Sequence, residues 1–109
     1  MMKRFFLARG NVQGVMFRQT LIRAAQKRSL RAGATNLPGG REVAITLDGD
    51  DGVILEMIKA ARKLKPLNSW GAAIEELVEH DGGRKIGGHQ VTTDNVDDFS
   101  WNPDVSMFL

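Results

Sequence analysis

The stretch RGNVQGVMFRQT, residues 9–20, decides how the chain is read. A short apolar run, FFLA, precedes it at residues 5–8, and after it the spacing of apolar residues becomes helical. Gly10 and Gly14 bracket the change. Glycine opens backbone conformations that other residues avoid and lets a ligand approach the main chain closely, so a turn built here can aim several N–H groups at one point. The first turn of the helix that follows adds unpaired N–H groups and a positive partial charge. Such a concavity suits an anion, phosphate above all. Arg18, near the start of the helix, can add a planar two-pronged donor that matches phosphate oxygens. Neither common phosphate-loop pattern, G-x-x-x-x-G-K-[ST] or G-x-G-x-x-G, occurs in this stretch.

Outward from the turn, the pattern runs strand, helix, strand, strand, helix. Lys3–Arg9 reads as a buried strand, and residues 17–28 as a helix with Phe17, Leu21, Ala24 and Ala25 on one face. Residues 31–36 form a weaker strand candidate, because Ala32, Gly33 and Ala34 have little to bury. NLPGG at 36–40 is a turn. Residues 41–48 alternate cleanly, with Val43, Ile45 and Leu47 on one side and Glu42, Ala44 and Thr46 on the other. GDDG then offers Asp50 or Asp51 as a helix cap. The helix at 53–65 turns Ile54, Met57, Ile58, Ala61 and Leu64 inward, and Pro66 stops it.

GAAIEELVEH, residues 71–80, stays open between two readings. Ile74, Leu77 and Val78 have helical spacing, which predicts a third helix; a strand with a bulge would also put Ile74 and Leu77 on one side. DGGRKIGGHQV at 81–91 reads as a glycine-rich turn leading into a strand around residues 89–93, and GGRKIGG at 82–88 reads as a mobile hairpin loop in preference to a phosphate or RNA contact. The tail from Asp94 is acidic and ends apolar, without a pattern that assigns it an element.

The bulk numbers fit one domain over residues 1–109 with a single core, since 42% of the residues are hydrophobic. A formal net charge of +2 permits an anionic ligand without calling for nucleic acid. There is no cysteine, which excludes disulfides, thiolate metal sites and cysteine nucleophiles. The basic then apolar start is too short for a secretory signal and nothing reaches the length of a membrane span. The expectation is therefore a cytoplasmic protein with no membrane partner. His80 and His89 are the only histidines and lack metal-ligand spacing. Trp70 and Trp101 read as packing residues, Met57 as core, and Asp94, Asp97 and Asp98 as a solvated acidic run.

Taken whole, GNVQGVMFR at 10–18 resembles the acylphosphatase signature G-x-V-Q-G-V-x-F-R, matching at Gly10, Val12, Gln13, Gly14, Val15, Phe17 and Arg18. ATNLPGG, with Asn36 eighteen residues after Arg18, is similar to the family's asparagine and turn, and AAIEEL resembles its A-x-V-x-x-V strand through Ala72, Ile74 and Leu77. The resemblance runs from Lys3 to His80, leaving 94–109 as an atypical tail. It departs at the second strand, where G-[WYF]-V-x-N is usual and Ala32, Gly33, Ala34 and Thr35 precede Asn36, so the large aromatic is gone.

The resemblance implies an α+β sandwich of ferredoxin-like topology, β-α-β-β-α-β, with two helices on one face of an antiparallel sheet, and so a strand at 71–80. It implies hydrolysis of acyl phosphates to carboxylate and phosphate by water attacking phosphorus, with no metal or other cofactor. Arg18 would bind the substrate and Asn36 would orient the water. Backbone N–H groups of Gln13, Gly14, Val15, Met16 and Phe17 would hold the phosphate. The expected partners are a small acyl phosphate, with inorganic phosphate or sulfate as a site ligand, and the expected state is a monomer. Two other readings keep the topology without the catalysis. One is an accessory domain that binds phosphate or another anion. The other is an RNA-binding module, although the K/R-G-F/Y-G/A-F signature of such domains is missing.

Overall fold

The computed structural model describes residues 2–83, 85–87 and 90–109. In chain order it has β1 (Met2–Asn11), α1 (Phe17–Lys27), β2 (Arg31–Asn36), β3 (Glu42–Gly49), α2 (Asp51–Lys63), β4 (Ala73–His80) and β5 (Val91–Thr92), then a 3-10 turn at Val96–Asp98. The five strands make one antiparallel sheet in the order β4-β1-β3-β2-β5. Two helices pack on it, a ferredoxin-like α+β fold.

Alternation builds the core. Phe6 and Ala8 of β1 pair with Ile45 and Val43 of β3, and all four are buried. Ala32 and Ala34 of β2 pair with Leu47 and Ile45 and are buried beside them. Helix α1 brings Phe17, Leu21, Ala24 and Ala25 to this surface, and α2 brings Ile54, Met57, Ile58 and Ala61. The cap of α2 is Asp50, whose side chain accepts a hydrogen bond from the Val53 N–H at 3.0 Å.

The stretch at 71–80 is not a third helix: Ala73–His80 is a bulged strand. Arg9 pairs with Glu76 but Gly10 pairs with Ile74, so Glu75 is the extra residue. The bulge keeps Ile74 and Leu77 on the core side despite their helical spacing. Gly10 makes this fit possible. Its φ is +145°, and a Cβ there would stand 2.6 Å from the Ala73 carbonyl oxygen. Near the other end of β1, the Arg4 guanidinium reaches Glu79 of β4 at 2.7 Å and Asp51 of α2 at 2.8 Å. The hydrogen bond from Arg4 holds the Glu79 carboxyl below the usual carboxylate range.

The segment after β4 is not a hairpin. β4 and β5 lie at opposite edges of the sheet, so the chain must cross from one edge to the other. Gly83 lies against the Phe5 ring and Gln90 against Gly33. The strand expected around 89–93 is only Val91–Thr92, and His89 lies outside the described residues. This crossing explains the missing aromatic of β2. A Cβ on Gly33 would stand 2.5 Å from Gln90 Oε1, so a carboxamide from the far end of the chain fills the space a large side chain would take. The tail then returns to the body. Val96, Val105 and Leu109 are buried, and Met107 forms an antiparallel bridge with Asn68.

Candidate active site

The loop between β1 and α1 is shaped by two residues in the left-handed region, Gly14 at φ +78° and Met16 at φ +58°. Met16 is the N-cap of α1 and provides no side-chain cap, and no acidic residue lies in the first helical turn. Among the described residues, no protein acceptor receives the backbone N–H groups of residues 14–19. Successive unpaired N–H groups at a helix N-terminus carry a positive partial charge that suits an anion.

This loop opens on a cleft of about 260 Å³, lined in part by Gln13, Gly14, Met16, Phe17, Arg18 and Asn36. Six of the seven site residues expected from sequence thus share one cavity. Val15 is the exception. It is half-buried, packs toward the core and turns its carbonyl to Asn68. Arg18 is half-buried and has no ion-pair or hydrogen-bond partner for its guanidinium among the described residues. Burial holds its pKa below that of an ordinary arginine, because a desolvated cation lacks a compensating anion. Asn36 ends β2 and is exposed at the cleft.

Two side-chain clamps fix the relation of these parts. The Gln13 carboxamide donates to the carbonyls of Leu37 at 2.8 Å and Glu42 at 2.9 Å, tying the loop to the turn beside Asn36. Asn68 is fully buried. Its Nδ2 donates to the Val15 carbonyl and to Thr20 Oγ1, both at 2.8 Å, and its Oδ1 accepts from the N–H groups of Trp70 and Ala72. A trans peptide is planar with its C=O and N–H opposed. Drawing the Val15 oxygen toward Asn68 therefore turns the Met16 N–H the other way.

Sequence reasoning missed Asn68, whose partners lie 48 and 53 residues away along the chain. It also missed the remaining cleft lining, which includes Val12, Gln19, Trp70, Val91 and Phe99. Trp70 packs only in part, since its side chain is partly exposed where it lines the cleft. Trp101 does pack, with its ring 5.5 Å from the Arg23 guanidinium and its Nε1–H donating to the Val105 carbonyl. Asp94 and Asp97 pair with Arg31 and Arg23, and neither lines the cleft. Among the described residues, no cluster of three His, Cys, Asp or Glu side chains could hold a metal ion.

The acylphosphatase family model matches residues 4–90. The chain belongs to the acylphosphatase family. It is 36% identical over 69 residues to the acylphosphatase of Pyrobaculum arsenaticum, an overlap of 63% of this chain and 68% of that one. The acylphosphatase of Pyrobaculum calidifontis is 38% identical over 69 residues, 63% of this chain and 59% of that protein. In three dimensions the chain is similar to the crystal structure of acylphosphatase from Bacillus subtilis, with a TM-score of 0.61 and 28% identity over 82% of this chain and 92% of that one. An acylphosphatase structure from Coxiella burnetii shares the fold at 20% identity and a TM-score of 0.58, over 78% of this chain and 82% of that one.

Proposed function

We infer that the chain hydrolyses acyl phosphates, the reaction of its family, with Arg18 and Asn36 as its catalytic residues. The observation that carries these assignments is the meeting of one unpaired guanidinium and a run of unpaired main-chain donors in a cleft that Asn36 also lines.

The phosphoryl group sits in the loop, its oxygens taken by N–H groups between Gln13 and Phe17 and by the fork of Arg18. Asn36 accepts a hydrogen bond from a water through its side-chain oxygen and directs the water at phosphorus. The new P–O bond forms as the bond from phosphorus to the acyl oxygen breaks. The electron pair leaves on the carboxylate, and the water's protons pass to the phosphate product and solvent. A carboxylate is a good leaving group, its conjugate acid having a pKa of about 4, so no general acid is required. The work left to the protein is positioning and charge stabilisation. A neutral asparagine adds no negative charge beside the phosphate dianion. Residues 1–109 act as a single domain in this reading, which extends to a monomer working in the cytoplasm, with inorganic phosphate as a competing ligand of the loop.

The test is hydrolysis of benzoyl phosphate, followed by absorbance, with purified wild type and two variants. Arg18→Ala should lower kcat/KM by at least about 10³-fold, and Arg18→Lys should stay severely impaired because a point charge cannot replace the fork. Inorganic phosphate should raise the Tm of wild type and leave that of Arg18→Ala unmoved. Wild-type rates in Arg18→Ala would sink the assignment.

A further inference from the structure

The cleft has an apolar half that phosphate binding leaves without a task. Two aromatic rings, Trp70 and Phe99, line it together with Val12, Met16 and Val91. The rings are 42% and 43% exposed, and the other large hydrophobics left that open among the described residues, Leu55, Val78 and Phe108, do not line this cleft. Single exposed hydrophobics are ordinary, but two aromatics beside a cluster of directed polar donors have the character of a ligand pocket.

Both rings sit on anchored backbone. The Trp70 N–H donates to buried Asn68 at 3.0 Å. The Phe99 N–H donates to the Val96 carbonyl at 3.1 Å, and the carbonyls of Phe99 and Ser100 accept from Arg23 and Gln19 of α1, each at 3.3 Å. Phe99 also lies beyond residue 90, where the family match ends, so the tail builds this wall of the cleft.

We propose that Trp70 and Phe99 form the acyl-group subsite and select acyl phosphates whose acyl part is a flat aromatic or bulky apolar group. The proposal rests on the assignment of the loop and Arg18 to the phosphate. With the phosphoryl group held there, an acyl substituent extending from the bridging oxygen meets the apolar wall. A planar ring has a large apolar area to bury against this wall, whereas an acetyl group has little. An acyl group carrying a second carboxylate would lose hydration against apolar surface.

The experiment compares kcat/KM for benzoyl phosphate and acetyl phosphate in wild type, Trp70→Ala, Phe99→Ala and Phe99→Tyr. Each alanine variant should lower the benzoyl-to-acetyl ratio by about tenfold, equivalent to about 1.4 kcal/mol, mainly through the KM for benzoyl phosphate. Phe99→Tyr should keep the wild-type ratio. A ratio is unaffected by the fraction of folded enzyme, so loss of stability cannot imitate the result. An unchanged ratio in both alanine variants, with both substrates hydrolysed, overturns the acyl subsite alone. Wild type that hydrolyses neither substrate overturns the phosphate assignment along with it.

Discussion

Replacing Asn68 should damage the site without touching a residue that meets the substrate. The carboxamide makes four hydrogen bonds in a fully buried position, two as donor and two as acceptor. Asn68→Ala leaves four groups without their partner. A buried polar group so stranded costs about 1–3 kcal/mol. Taking the low end for each and letting one water enter the space gives a loss of about 3 kcal/mol, or about 15 °C in Tm for a domain of this size. Asn68→Asp is the sharper perturbation, because it keeps the shape and both acceptor contacts but puts an oxygen against the Val15 carbonyl. That peptide should rotate and carry the Met16 N–H away from the position proposed for the phosphate. Losing one such donor costs about 10²–10³ in kcat. Both variants should be assayed with benzoyl phosphate well below Tm, with folded fraction checked by circular dichroism. Asn68→Asp that is folded and hydrolyses at the wild-type rate would refute the claim that this side chain orients the loop.

Other outcomes follow from the same geometry. Asn36→Ala should lower kcat by about 10²-fold while phosphate still raises Tm, as steady-state kinetics and thermal melts would show. Glu79→Gln should lower stability at neutral pH and not in strong acid. The Glu79 carboxyl lies below its ordinary value through Arg4, so its contribution is present above the unfolded pKa and lost as pH falls through the folded one; urea melts at several pH values read this directly. Gly33→Ala should destabilise through its clash with Gln90, and adding Gln90→Gly should recover part of the loss in a double-mutant cycle.

The fold was legible wherever local pattern and tertiary role agree. The alternation of Val43, Ile45 and Leu47 and the inward stripe of α2 both reappear as buried rows. Residues 71–80 were ambiguous because a bulge at Glu75 gives a strand the apolar spacing of a helix; only the family resemblance favoured the strand. The loop residues that line the cleft could be named because they are contiguous. Asn36 could be named only through that resemblance. Asn68, Phe99 and the Gln90–Gly33 contact are set by chain crossings whose partners are far apart in sequence, and no local signal marks them. The hairpin expected at 81–91 failed for the same reason: glycines advertise a change of direction but not its destination.

The two margins of the sheet differ in how they resist a second copy. β4 has one paired side, against β1, and carries exposed Glu75, Glu76 and Glu79 around its bulge. Antiparallel pairing of two such strands would bring carboxylates together, and the irregular backbone would break their register. At the opposite margin β2 carries Arg31 beside a run of small residues, Ala32 to Ala34, and the two-residue β5 occupies part of its outer rim. Proteolytic removal of residues 90–109 would uncover that rim and also strip Val91, Val96 and Leu109 from the core, so the expected consequence is a loss of stability together with oligomer growth.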